Sequence, residues 1–247
     1  MAVKKKAAAK KKPAAKPKAA RGYEQARAVK HLHGYAVKLD GNFVMTPKGE
    51  VMVAPSEALA KLIAKEWQGQ KQKVLPATMP ATVFAMSVID RILPAREVIE
   101  SEIVRYLTHE SLCHWAAEPP ALMALQEQEW RPWLEWAKKK YHLDLPVQFG
   151  LMPDSSPKVA EIVYPVLQEF DGWRLGALYI AAQMLGSGLV ALAFAVGEID
   201  ADQALRLGFL HERWALKQWG EDEEARFRLK QIEAELIDVE RCLKLLG

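Results

Sequence analysis

Cysteine is scarce: Cys113 and Cys242 are the only two in 247 residues. Two thiols cannot build the disulfide framework of a small secreted domain, and as free thiols they suit a reducing compartment. No long Gly- or Ser-rich tract occurs, and no unit recurs with a period of about 20–50 residues, which argues against a solenoid or a propeller. The phosphate-cradling pattern G-x-x-x-x-G-K-S/T is missing, and Gly186-Ser187-Gly188 lies inside an apolar run rather than after a strand. No G-x-S-x-G elbow is present either, which argues against an α/β-hydrolase.

Positive charge is scarce where a nucleic-acid reader needs it. The whole chain carries +3, yet residues 1–21 hold eight lysines, Arg21 and no acid, a balance of +9. The rest has 25 basic and 31 acidic side chains, a balance of −6. The body is therefore mildly acidic and offers no basic face of the kind nucleic-acid recognition uses.

The Lys/Ala/Pro composition of residues 1–21 predicts a disordered tail, with Pro13 and Pro17 spaced to prevent a lasting helix. It lacks the apolar centre of a secretory signal, and a mitochondrial presequence more often carries Arg and Ser on an amphipathic helix. A solvated arm is the plain reading; weak polyanion binding through its lysines is the functional one. From Leu175 to Val196 run 22 residues without a formal charge, long enough to cross a bilayer. Gln183 near the middle, the Gly186-Ser187-Gly188 break and the lack of a flanking basic cluster favour a helix in the centre of a helical domain instead.

Residues 34–54 read as a short meander. Tyr35, Val37 and Leu39 alternate with Ala36 and Lys38, Asp40-Gly41 makes a hairpin turn, and Phe43–Met45 and Val51–Val53 follow. From Ser56, a plausible N-cap, the period becomes helical, with Leu59, Leu62, Ile63 and Trp67 on one side. Further helices are expected over 81–92, from Pro94 through Leu107, from Pro119-Pro120 through Lys140, and over 157–170, 173–196 and 200–218. In the last helix Ala225, Leu229, Ile232, Leu236, Val239, Leu243 and Leu246 form a heptad seam suited to another helix of this chain or to a partner. The fold class is thus α+β. Residues 1–21 form the tail, 22–75 a β-rich N-terminal domain and 76–247 a helical C-terminal domain, the boundary falling between Lys71 and Pro80.

Chemistry-bearing constellations are few. His109-Glu110-Ser111-Leu112-Cys113-His114 misses a zincin pattern, because His114 is five residues from His109, about 140° around a helix. These are read as partly exposed side chains at a helix end, and no metal is expected. Among the many carboxylates Glu212 stands apart, in His211-Glu212-Arg213-Trp214 and ahead of Trp219. It is either an exposed acid paired with Arg213 or Lys217, or an acid at the edge of an apolar binding surface. Most of the eight tryptophans should be core, though Trp is also enriched at interface hot spots.

A series of short words runs along the chain: Gly34-Tyr35, Leu39-Asp40-Gly41, Thr46-Pro47, Leu59-Ala60, Glu66-Trp67, Thr78-Met79-Pro80, Asp90, Tyr106 and Leu112-Cys113. Pro119, Gln126, Trp130, Pro132, Trp136, Gly186-Ser187, Glu212 and Trp219-Gly220-Glu221-Asp222 continue it. Taken in order, these segments resemble the assembly chaperones that bind the α subunit of the catalytic sector of ATP synthase, in mitochondria and α-proteobacteria. The chain departs from that pattern at His211 and Ala215, where Asp and Gln are expected, and at His114-Trp115, where Tyr-Arg is commoner.

The resemblance implies a binding protein that shields the apolar interface of the unassembled α subunit and hands it to β without hydrolysing ATP. It implies no enzyme activity and no cofactor, small-molecule substrate, specific nucleic acid or membrane span. The expected partner-binding residues are Glu212, Trp67, Trp214, Trp219, Glu221 and Asp222. A monomer in the bacterial cytoplasm is expected, with the mitochondrial matrix as the alternative compartment. The competing functions are a polyanion or nucleic-acid binder acting through the lysine arm, and a metal hydrolase built on His109, Cys113 and a distant ligand.

Overall fold

The structure, a computed structural model, describes residues 22–149, 158–220 and 222–247. The expected tail over 1–21 and the candidate Glu221 lie outside the described residues.

The sheet starts earlier than the apolar alternation indicates. β1 (Ala26–His31) pairs antiparallel with β2 (Gly34–Leu39), from Ala26 opposite Leu39 to His31 opposite Gly34. Its two charged residues and two alanines mask the strand in the sequence. β2 is the hub: β3 (Asn42–Phe43) and β4 (Val53–Ala54) also pair with it, while Met45 and Val51 make an isolated bridge. Gly34 has φ +145°, and a Cβ there would stand 2.3 Å from the Ala54 carbonyl oxygen, so glycine lets β4 approach β2.

α1 (Glu57–Gly69) covers this sheet with Leu59, Ala60 and Ile63, all fully buried; the two larger side chains contribute about 2 kcal/mol each. Ser56 caps α1, its hydroxyl oxygen accepting from the Leu59 amide, and its hydroxyl donates to the Leu245 carbonyl, pinning the far end of the chain.

α2 (Pro80–Ser87) runs through a π turn (Val88–Ile92) and a 3₁₀ turn (Leu93–Ala95) into α3 (Arg96–Thr108). The expected helix over 81–92 is therefore shorter, and Pro94 precedes the next helix instead of starting it. Pro94 has no N–H to give the Asp90 carbonyl one helical turn back; Lys48 Nζ donates to that carbonyl instead, at 2.7 Å. β5 (His114–Trp115) and β6 (Gln148–Phe149) form a small parallel pair on either side of α4 (Pro120–Tyr141).

α5 (Lys158–Gln168) is followed by α6 (Gly172–Leu185), α7 (Gly188–Ala195), α8 (Ala201–Gly208), α9 (Leu210–Trp219) and α10 (Glu223–Leu243). The single helix expected over 173–196 is a hairpin of two: Gly186 takes φ +65° and Ser187 caps α7 through the Val190 amide. The one expected over 200–218 breaks at Phe209. Every residue of α7 is buried, in keeping with a core rather than a membrane helix, and no described helix is long and apolar enough to cross a membrane. The seam of α10 is used within the chain, burying Leu229, Leu236, Val239 and Leu243 against α2, α6, α7 and α8.

Three buried or half-buried polar side chains tie distant segments together. Glu66, on α1, accepts from the Ala81 and Thr82 amides and the Thr82 hydroxyl, so it caps α2. Glu110 is 2 % exposed and accepts from the Leu189 and Leu112 amides and the Ser187 hydroxyl, so it anchors α7. This overturns the expectation of a partly exposed side chain at a helix end; Cys113 is buried as well, burial pushing its thiol up to about 12. Gln126, fully buried on α4, accepts from the Ala116 amide and donates toward His211 at the start of α9.

Candidate partner-binding surface

α9 buries only Leu210. Its first turn is held by His211, whose Nε2 lies 2.6 Å from the Gln126 amide nitrogen and whose ring sits 5.0 Å from that of Trp130. The Gln126 oxygen is committed to the Ala116 amide, so its nitrogen faces the imidazole and Nε2 must accept. Partial burial of the ring lowers its pKa, which keeps the accepting, neutral form in place. Trp130 Nε1 donates to the Leu207 carbonyl at the end of α8, completing the anchor.

Beyond this anchor the surface is aromatic and charged. Glu212 pairs with Arg228 of α10, not with Arg213 or Lys217 as its own helix suggests. Its second oxygen, Oε2, is shut off from solvent and has no hydrogen-bond partner among the described residues. The Arg228 guanidinium also lies 5.7 Å from the Phe209 ring. Trp214 and Trp219 meet edge to face at 5.6 Å, and Trp219 is 79 % exposed. A shallow cleft lined by Ala215, Leu216, Trp219, Gly220 and Asp222 lies at the turn into α10. Asp222 starts α10 by accepting from the Glu224 and Ala225 amides. Phe227, 63 % exposed, adds a further ring to this end of α10.

The structure thus brings Glu212, Trp214, Trp219 and Asp222 into one helical hairpin. Trp67 belongs elsewhere, on α1, where its carbonyl accepts from the Tyr23 hydroxyl at 2.7 Å and the two rings lie 6.0 Å apart. α10 spans both regions: Arg228 meets α9, while Arg241 flanks a groove with α1, about 20 Å further along at 1.5 Å per residue. Sequence reading missed Phe227 and Arg228. The available signal was position, since an aromatic at 227 lies off the seam running through Ala225, Leu229 and Ile232. Among the described residues no group of three or more His, Cys, Asp and Glu side chains could hold a metal ion.

Residues 20–138 match the model of a family described as ATP12 chaperone protein. The chain is 31 % identical to Atp12 from Paracoccus denitrificans over 93 % of this chain and 99 % of that one, with a TM-score of 0.87. A mutant of the same protein gives 0.88 at the same identity and coverage. The Atu1473 protein of Agrobacterium tumefaciens is 32 % identical over 92 % of this chain and 86 % of that one, with a TM-score of 0.85. Identity at this level over nearly the whole folded length, with the fold shared, settles the family: the chain belongs to the ATP12 chaperone proteins.

Proposed function

We propose that this protein binds the unassembled α subunit of the ATP synthase catalytic sector, covers its apolar interface and releases it to β. Membership of the ATP12 chaperone family carries the reading. The α9–α10 hairpin supports it, because α9 buries only Leu210 and the first turns of α10 little more, which leaves Trp219 and Phe227 exposed and Trp214 half-buried around the Glu212–Arg228 pair. Exposed aromatics beside a fixed charge pair suit a partner that is itself sticky and must be held in one orientation. Release follows by mass action: β competes for the interface that the chaperone covers, so no nucleotide hydrolysis and no catalytic group are required. The bacterial cytoplasm is the proposed compartment and a monomer the proposed state.

Co-purification tests this directly. The chain should capture isolated α subunit and lose it when β is added, and Trp219→Ala or Glu212→Lys should weaken capture at unchanged fold. Failure of the wild-type chain to capture α overturns the reading.

A further inference from the structure

A second charged surface lies away from the α9–α10 hairpin. A groove of about 890 Å³ opens between the C-terminal end of α1, the 70–78 segment and α10. Leu62, Leu75 and Pro80 give it an apolar floor, and Lys65, Lys71, Lys73 and Arg241 stand around it. All four cations are exposed, and among the described residues none of them forms an ion pair. Neighbours on the same helices behave differently: Lys61 is paired with Glu57 and Lys244 with Glu240.

The groove keeps an excess of positive charge, four cations against one acid in its lining. Its one acid, Glu66, has both oxygens committed to the N-terminus of α2. Asp238, one turn back along α10, lines the cleft on the other side, with α2 and α6, and its carboxylate attracts Arg241, so the three lysines carry most of the groove's unpaired charge. Four like charges converging on a concave apolar site, in a body whose net charge is −6, concentrate positive potential there. A bound carboxylate relieves that repulsion, and an adjoining aliphatic side chain covers the floor.

We propose that this groove docks an acidic segment of the client protein, one carrying Asp or Glu beside Leu, Ile, Val or Met. The inference rests on the chaperone reading and adds a contact about 20 Å along α10 from Arg228. The chain's own residues 1–21 are the wrong occupant, since they carry +9 and no acid.

The test uses the full chain, the double variant Lys71→Glu/Lys73→Glu, and a control, Lys30→Glu/Lys139→Glu, with the same change of net charge at exposed lysines away from the groove. All four substituted lysines are exposed, so circular dichroism should be unchanged. The probes are a short fluorescein-labelled peptide of alternating Glu and Leu, heparin, and isolated α subunit. The wild type and the control should bind the peptide in a salt-sensitive manner, while the groove variant binds it about tenfold or more weakly and captures α less well. Equal peptide binding by the groove variant overturns the proposal. Heparin binding that needs Lys71 and Lys73, without peptide binding, overturns it in favour of a non-protein polyanion. Peptide binding that needs the groove, with no capture of α by the wild type, supports the groove's specificity and overturns the chaperone reading instead.

Discussion

Two helical hairpins in this molecule are built by the same local device and put to opposite uses. In both, a helix ends at a glycine with positive φ, Gly186 or Gly220, and a side-chain cap, Ser187 or Asp222, starts the next helix. α7 is apolar on every side and buried throughout, and α6 buries nine of its fourteen residues. α9 and the first turns of α10 expose tryptophan, phenylalanine and charge, and bury little beyond Leu210 and Leu229. Local signals set where a helix stops and starts. The composition of the faces decides whether the product is a core or an exposed aromatic surface.

Breaking the anchor of the buried hairpin should have the largest effect. Glu110→Ala removes the acceptor of the Ser187 hydroxyl and of the Leu189 and Leu112 amides, leaving buried donors unpaired. A loss of about 3 kcal/mol or more is expected in urea denaturation. Burial pushes the Glu110 carboxyl above its ordinary value of 4.5. Its contribution to stability is thus fully present below that value and is lost as pH rises through the folded value. Replacement by Gln should flatten the pH dependence of stability above 4.5.

Close approach separates the hairpins next. A Cβ on Gly188 would lie 2.6 Å from Leu107 Cγ, whereas one on Gly220 would meet nothing within 4 Å. Gly188→Ala should cost about 1–3 kcal/mol through overpacking. Gly220→Ala should cost less, about 1 kcal/mol, from backbone strain alone.

Asp222→Ala removes the cap from the Glu224 and Ala225 amides and should cost about 1 kcal/mol. Because this end of α10 packs little, the loss should show as faster hydrogen exchange in its first turn while Leu236 and its neighbours stay protected.

The smallest expected effect is at His211. Its lowered pKa means that its contribution is present above the ordinary value of 6.5 and is lost as pH falls through the folded value. Protonation turns the Nε2 acceptor into a donor facing the Gln126 amide. The protection factors of the α9 amides, taken relative to the intrinsic exchange rate at each pH, should therefore fall on acidification below 6.5, and His211→Gln should remove that sensitivity. The two hairpins thus respond to acid with opposite sign.

The sequence by itself determined what local physics can determine. The Ser56 cap, the Asp40-Gly41 turn, the helical period after residue 56, the seam of α10 and the α+β class all rest on spacing within one element. The ordered words shared with the family were legible too, though not why they belong together. Only the tertiary structure joined them: Glu66 to the helix beyond Met79-Pro80, Glu110 to Ser187, Gln126 to His211, and Glu212 to Arg228 rather than to a neighbour on its own helix. The physical reason is that a polar side chain's role depends on which unpaired helix end or charge comes within hydrogen-bond reach. In this chain those partners lie 15, 77, 85 and 16 residues apart. Burial worked the same way. Glu110 and Glu212 are the same residue type, yet packing against α7 makes the first a core anchor, and the sparse burial of α9 leaves the second at the edge of an open surface.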